Sequence, residues 1–371
     1  MKIKWIYPTL FFAMLLCFPL ATFLLPAKEF SSIENRYLEK FPQFNLTSVL
    51  DRSFMNGFEN YVSDHFVGRD QWVAVKGYSE YAVGKRENNK IFLCENRLIE
   101  HLDKPNEDYI AANIQGINQL AENTSNANIY FSVIPSASSI QKQYLPVNAP
   151  GWDQLAVIEK VYAQVDGRVN TIDLASVLKE HKDEEIYYRT DHHWTTYGAG
   201  LAYQKLSQEM NLTGNSLLTQ KVSENFYGTL YSKAGYRSIT PDTIEACPVN
   251  IEECLVNNGT QTVSYPSIYF DEYLSQKDQY SYFLGSNQPR ITIKTGSSSD
   301  RKLLLCKDSY AHALAPYLLQ DYGEITLLDL RYINTDFSDQ IALSEYDDIL
   351  LLYSIDVFTH QKNPAKLSFL L

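Results

Sequence analysis

The chain has no dense run of Lys or Arg, and its formal charge is −12. Binding to phosphate backbones needs a basic surface, so nucleic acid is excluded as a bulk partner. None of its five cysteines forms a CxxC pair, which argues against a structural zinc site. Internal repeats of solenoid type are missing. So is the Gly-x-Ser-x-Gly elbow of the usual α/β hydrolases. Charged residues make up 20% of the 371-residue chain against 45% hydrophobic, a balance that suits a packed core rather than disorder. That length allows one large domain or two modest ones. Aromatics are plentiful: the 27 Tyr and 4 Trp can pack strands and cores, or form platforms for sugars.

Lys2 and Lys4 precede an uncharged stretch from Trp5 to Ala27, which Lys28 and Glu29 close. Such a stretch is long enough to cross a hydrocarbon core of ~30 Å. Positive charge before it places the N-terminus inside and the rest outside. Cleavage after Ala27 would put Leu25 where a small residue is preferred, and Leu16 before Cys17 is a poor lipoprotein context. The expectation is an uncleaved signal anchor over residues 1–27, with a secreted, cleaved form as the alternative. Cys94 and Cys306 sit in apolar runs and read as small buried hydrophobes. Cys247 and Cys254 bracket a loop-like stretch and can pair as a local disulfide outside the cytoplasm.

Residues 28–50 read as a linker. Helical periodicity follows over 51–90, and then a hairpin of Ile91–Cys94 with Arg97–Ile99 around Glu95-Asn96. Together, 28–104 form an expected N-terminal region. From 105 onward, helices and short apolar strands alternate. Helices are expected at 110–120, 155–165, 197–210 and 310–319, and strands at 127–134, 169–174, 301–306, 325–330 and 349–353. That alternation points to an α/β fold with a mostly parallel sheet covered on both faces. Residues 212–295 are rich in Ser, Thr, Asn, Tyr and Gly and read as an insert of loops and hairpins in this 105–371 domain.

Three stretches carry chemistry. Asp191-His192-His193-Trp194 places an acid, two imidazoles and an indole in four positions. Residues two apart do not face each other along a helix. Asp191 and His193 therefore belong on a turn before a helix capped by Thr195 or Thr196. In hydrolytic catalysis such a carboxylate orients the imidazole and stabilises its charged form. The bland alternative is a surface turn with a buried Trp. In the second stretch, Leu303 to Cys306 read as a buried strand running through Lys307-Asp308 to Ser309, with a helix behind. That setting presents a serine at the carboxyl end of the sheet, beside a helix N-terminus able to help an oxyanion. Seen alone, Asp308-Ser309 reads equally as a helix cap. His312 reads as a rival imidazole or a helix-surface residue. In the third, Phe283-Leu284-Gly285-Ser286-Asn287, an Asn side chain beside a flexible Gly can donate to an oxyanion, although a plain turn is the simpler reading.

Taken together, these stretches resemble the DHHW protein family, which looks related to the SGNH-like proteins of alginate and cell-wall O-acetylation (the AlgX, AlgJ and PatB group). Asp64-His65-Phe66 with Arg69, Ile134-Pro135-Ser136 with Leu145-Pro146, and Gly228-Thr229-Leu230 add to the likeness. The resemblance implies an SGNH-like, flavodoxin-like three-layer sandwich in which Asp-His precedes Ser, as in a circular permutation. It also implies Ser309 as nucleophile, His193 as general base and Asp191 as its orienter. Gly285, Asn287, Arg331 and Trp194 become oxyanion or substrate-side candidates, with no metal and no cofactor. The Gly-Asp-Ser of SGNH proteins is Lys307-Asp308-Ser309 here, which changes the oxyanion setting. The implied activity is O-acetyl transfer to a polysaccharide, or its hydrolysis, with a membrane-bound O-acyltransferase as partner. Two rival readings are a non-catalytic glycan-binding or assembly protein and, because Asp-His-His also occurs there, a metal-dependent phosphoesterase.

Overall fold

A computed structural model describes residues 3–31, 36–333 and 341–370. Lys2 of the expected anchor and residues 32–35 of the expected linker lie outside the described residues.

Eight strands form the central sheet. In chain order they are β1 (Asn128–Ile134), β2 (Val169–Thr171), β3 (Glu253–Asn257), β4 (Thr262–Tyr265), β5 (Arg290–Lys294), β6 (Lys302–Lys307), β7 (Glu324–Leu328) and β8 (Asp348–Ser354). Across the sheet they run β4-β3-β5-β7-β6-β8-β1-β2. The pairings from β7 through β2 are all parallel, and β5, β3 and β4 add antiparallel strands at one edge. Burial follows this division. Every residue of β8 is buried, as are all but the first of β1 and β6. In contrast, β3 and β5 alternate between buried and partly or fully exposed positions. A parallel strand needs crossover helices, which cover both faces, whereas an antiparallel strand can leave one face to water. The mixed α/β architecture expected from the sequence is therefore the observed one.

Alternate residues of β6 and β8 feed two cores. Leu303, Leu305, Leu350 and Leu352 enter one, and Leu304, Cys306, Leu351 and Tyr353 the other. The first core is roofed by helices Thr196–Met210 and Ala311–Leu318, which touch closely: Tyr317 Oη donates to the Thr196 carbonyl at 3.0 Å. Gly200 permits that approach, since a Cβ there would lie 2.8 Å from the Tyr317 hydroxyl. The second core is covered by Glu107–Asn123 and Ile355–His360, where buried Asn113 donates to the carbonyls of Phe358 and Gln361 at 2.9 Å.

Residues 212–295, expected as an insert of loops and hairpins, supply one separate antiparallel pair (Gln220–Phe226 with Asp242–Ala246) and three strands of the central sheet. The strand expected over 169–174 stops at Thr171, because Asp173 caps a helix that begins at Leu174. The 91–99 hairpin forms, with Asn96 in the left-handed region at the turn. Cys247 and Cys254 are buried free thiols rather than a disulfide. At the N-terminus, helix Ile3–Leu24 is long and apolar enough to cross a membrane. Phe18 stacks on Phe66, Phe23 stacks on Phe58, and Thr22 Oγ1 accepts from the Val67 N–H at 3.2 Å.

Candidate active site

Ser309 lies just past the carboxyl end of β6, two residues before helix Ala311–Leu318. The buried Asp308 carboxylate shapes this turn. One oxygen accepts from the Tyr310 N–H at 3.0 Å and the other from the Ser354 N–H at 2.7 Å, which ties the turn to the end of neighbouring β8.

The Asp191–His193 loop is the tip of a short antiparallel turn. The Tyr188 N–H donates to the His193 carbonyl (3.1 Å) and the Thr195 N–H to the Ile186 carbonyl (3.0 Å). Buried Asp242 secures its base by accepting from Arg189 N–H, Thr190 N–H and Thr190 Oγ1. Thr195 then caps the following helix, its Oγ1 accepting from the Gly198 N–H at 3.1 Å.

These two segments meet beyond the carboxyl end of β6. His193 Nδ1 stands 2.6 Å from Asp191 Oδ1, and His193 Nε2 stands 2.8 Å from Ser309 Oγ. Both distances are in hydrogen-bond range. The other Asp191 oxygen accepts from the Thr229 N–H (2.7 Å) and from Thr229 Oγ1 (3.0 Å). Burial works against the Asp191 carboxylate, but His192, His193 and the Thr229 N–H outweigh it and hold its carboxyl far below the usual range. Burial and the neighbouring His192 imidazole push His193 below the ordinary imidazole range, and Asp191 offsets this only in part. The Tyr280 ring stacks on the His193 ring at 3.9 Å and 9° and fixes its plane, while its hydroxyl donates to the Ser309 carbonyl at 3.2 Å. Ser309, Asp191 and His192 open into a cavity of about 110 Å³, with Glu100, Arg331 and Asp356 on its walls.

The other sequence candidates fall elsewhere. Trp194 is not a substrate-side residue: it is fully buried, and its Nε1 donates to the Tyr310 carbonyl at 2.9 Å, clamping the loop to the serine turn. Gly285 does not line the cavity. It occupies a left-handed turn under the Phe270 ring, where a Cβ would sit 3.0 Å from a ring carbon. Asn287 stands behind Arg331, its Oδ1 accepting from Arg331 Nη2 at 3.1 Å, and does not line the cavity either. Arg331 does line it, aimed by Asp329 through bonds of 2.8 and 2.6 Å. Asp329 also lies 3.6 Å from Lys307, which is wholly buried and bonded to His312 Nε2 at 2.6 Å. His312 is thus no helix-surface residue: it is buried behind Tyr280. Burial pushes Lys307 down to about 8 and His312 well below the imidazole range.

Sequence reasoning did not assign a site role to Thr229, Tyr280 or Asp329. Gly228-Thr229-Leu230 was the available signal for the first. Gly228 is required because a Cβ there would lie 2.3 Å from Asp191. Asp191, His192 and His193 also form the group of possible metal ligands among the described residues, with ligand atoms within 4.8 Å. Asp191 Oδ1 and His193 Nδ1 are bonded to each other, Asp191 Oδ2 to Thr229 and His193 Nε2 to Ser309, so these donor atoms are committed to a hydrogen-bonded chain.

Among solved structures, the chain is similar to a DHHW family protein from Eubacterium siraeum (22% identity, TM-score 0.64, covering 76% of this chain and 95% of that one). It is also similar to Bacillus cereus PatB1 carrying a sulfonyl adduct (18%, TM-score 0.62, covering 74% and 97%). The O-acetyltransferase domain of Pseudomonas putida AlgJ aligns more loosely (16%, TM-score 0.46, covering 75% and 98%). No curated protein matches the chain. The DHHW protein family matches residues 105–328, more than half of the sequence and both halves of the site, and the chain belongs to that family.

Proposed function

We propose that this protein is an extracytoplasmic serine O-acyltransferase or esterase, with acetyl as the acyl group and a cell-surface or secreted polysaccharide as acceptor or substrate. The observation that carries the reading is the unbroken chain from Asp191 through His193 to Ser309, at 2.6 and 2.8 Å, ending in an open cavity. Asp191 orients His193 and stabilises its charged form. His193 Nε2 takes the Ser309 proton as Oγ bonds to the acyl carbon, and the leaving group departs with that proton. An acyl-serine results. In the second half, an acceptor oxygen bonds to the same carbon and gives its proton to His193, and Ser309 Oγ leaves and takes it back. With a sugar hydroxyl the outcome is transfer; with water it is hydrolysis. The oxyanion is assigned to the Ser309 N–H at the helix start, with Arg331 on the cavity wall contributing positive charge.

Helix Ile3–Leu24 fits a membrane anchor that keeps the domain outside, where free acyl-CoA is not available. A membrane-bound O-acyltransferase that hands over the acyl group is the partner this reading requires.

The test is covalent. A sulfonyl fluoride should add one group to Ser309, read by intact mass and peptide mapping. Ser309→Ala should take up none and should lose at least ~10³-fold in acetyl-ester turnover. Full turnover by that variant would end the proposal. Glycan binding with no labelling of the native protein would instead favour a non-catalytic binding protein.

A further inference from the structure

His192 is the imidazole of the site that the acyl-serine reading leaves without a task. Its Nδ1 lies 2.9 Å from Thr229 Oγ1, which also lies 3.0 Å from Asp191 Oδ2. A hydroxyl carries one proton, and an ionised carboxylate only accepts. The Thr229 proton therefore goes to Asp191, and Thr229 Oγ1 accepts from His192. This network assigns the His192 proton to Nδ1 and leaves the Nε2 lone pair free in the neutral ring. The main chain is fixed as well, because the Tyr310 hydroxyl donates to the His192 carbonyl. The two imidazole rings pack face against face, with centroids 3.9 Å apart and planes tilted by 36°. The His192 side chain is 31% exposed against 6% for His193, and it lines the cavity into which Ser309 opens.

We propose that His192 Nε2 accepts a hydrogen bond from a second hydroxyl of the acceptor, so that the site selects a vicinal diol of a sugar over water. This rests on the acyl-serine reading above. One hydroxyl faces His193 and attacks. Its neighbour donates to His192, where no bond is made or broken. Water has no second oxygen at that spacing and gains nothing from His192. The acceptor-binding residue thus tilts the acyl-enzyme toward transfer.

The readout is the partition of the acetyl group between acceptor and water. Full-length protein in detergent is given p-nitrophenyl acetate together with cellotetraose, or with n-propanol at the same hydroxyl concentration. Acetylated acceptor and free acetate are then quantified by mass spectrometry. The native protein should favour the sugar over the alcohol. His192→Phe should lower the sugar-to-water ratio about tenfold and leave the alcohol-to-water ratio unaltered, as expected for one lost hydrogen bond. His192→Gln, whose amide oxygen accepts, should recover part of it. His192→Ala replaces the Phe variant if that does not fold. The ratio does not depend on how fast Ser309 is acylated, so a merely structural role for His192 would not move it. An equal ratio in native and variant protein overturns the proposal, as does a native protein that treats propanol and cellotetraose alike. Absence of Ser309-dependent acetate release in the native protein is a separate result. It removes the acyl-serine reading itself and this proposal with it.

Discussion

The loop carrying Asp191 and His193 and the turn carrying Ser309 face each other across one cavity, yet they are held in different ways. The serine turn is the end of a buried parallel strand, and two backbone N–H groups bonded to Asp308 finish it. The Asp-His loop belongs to no sheet strand. Its position comes from contacts with groups far along the chain: the Asp242 carboxylate at its base, the Thr229 N–H on Asp191, and the Tyr310 carbonyl that receives its own Trp194. Strand geometry is shared among many hydrogen bonds, so the turn should keep its shape when any single hydrogen bond to it is lost. The loop depends on a few contacts and should be easier to displace.

The sharpest way to break this contrast is on the serine side. Asp329→Ala removes the buried carboxylate that Lys307 and Arg331 share. Leaving Lys307 buried without it should cost about 3–5 kcal/mol in urea unfolding. A loss below ~1 kcal/mol would mean that Lys307 is satisfied by His312 alone. On the loop side, Gly228→Ala would place a Cβ 2.3 Å from Asp191 and must push that carboxylate aside. Turnover of an acetyl ester should fall about 10²-fold, the usual effect of an ångström-scale misplacement, with little change in unfolding midpoint. Thr229→Val keeps the backbone donor to Asp191 and removes only the hydroxyl. Its loss should be about tenfold in kcat. A loss as large as that of Gly228→Ala would mean that the hydroxyl, rather than the shape of the loop, holds the acid. The mildest test is pH. His193 is held below the ordinary imidazole range, so its neutral, proton-accepting form persists as the solution is acidified. The acid limb of acyl-serine formation should have its midpoint below the free imidazole value of about 6.5. A midpoint above it would show that Asp191, not burial, dominates.

Much of the sheet was legible in the sequence because its parallel strands are buried on both faces. Leu303–Cys306 and Ile349–Tyr353 are continuous apolar runs, Ile129–Ile134 is one broken only by Ser132, and each lies within an observed strand. The antiparallel edge was harder to read. Glu253–Asn257 and Arg290–Lys294 alternate, and the Ser- and Asn-rich segments around them look like loops. Asp191, His193 and Ser309 could be singled out because an acid and two imidazoles in sequence are rare, and because a serine after a buried strand has a known setting. Trp194 carried the opposite lesson. An indole beside a candidate site can face substrate or be buried, but only packing decides which, and here it is fully buried. His312 was misplaced for the same reason. Its helix is buried all round, as helical periodicity alone does not reveal.

The order of residues was enough to determine the alternating α/β pattern and the apolar N-terminal segment, and to single out the loop and turn that meet in the candidate site. These follow from local rules: hydrophobic runs, capping residues and the spacing of Asp191 and His193. Tertiary structure alone decided that His193 Nε2 reaches Ser309 Oγ across 116 positions of chain, and that Thr229 and Gly228 receive Asp191. It likewise decided that Lys307 turns into the core beside His312 and Asp329. Distances of this kind depend on how crossover helices pack on a twisted sheet. Local pattern does not encode that geometry.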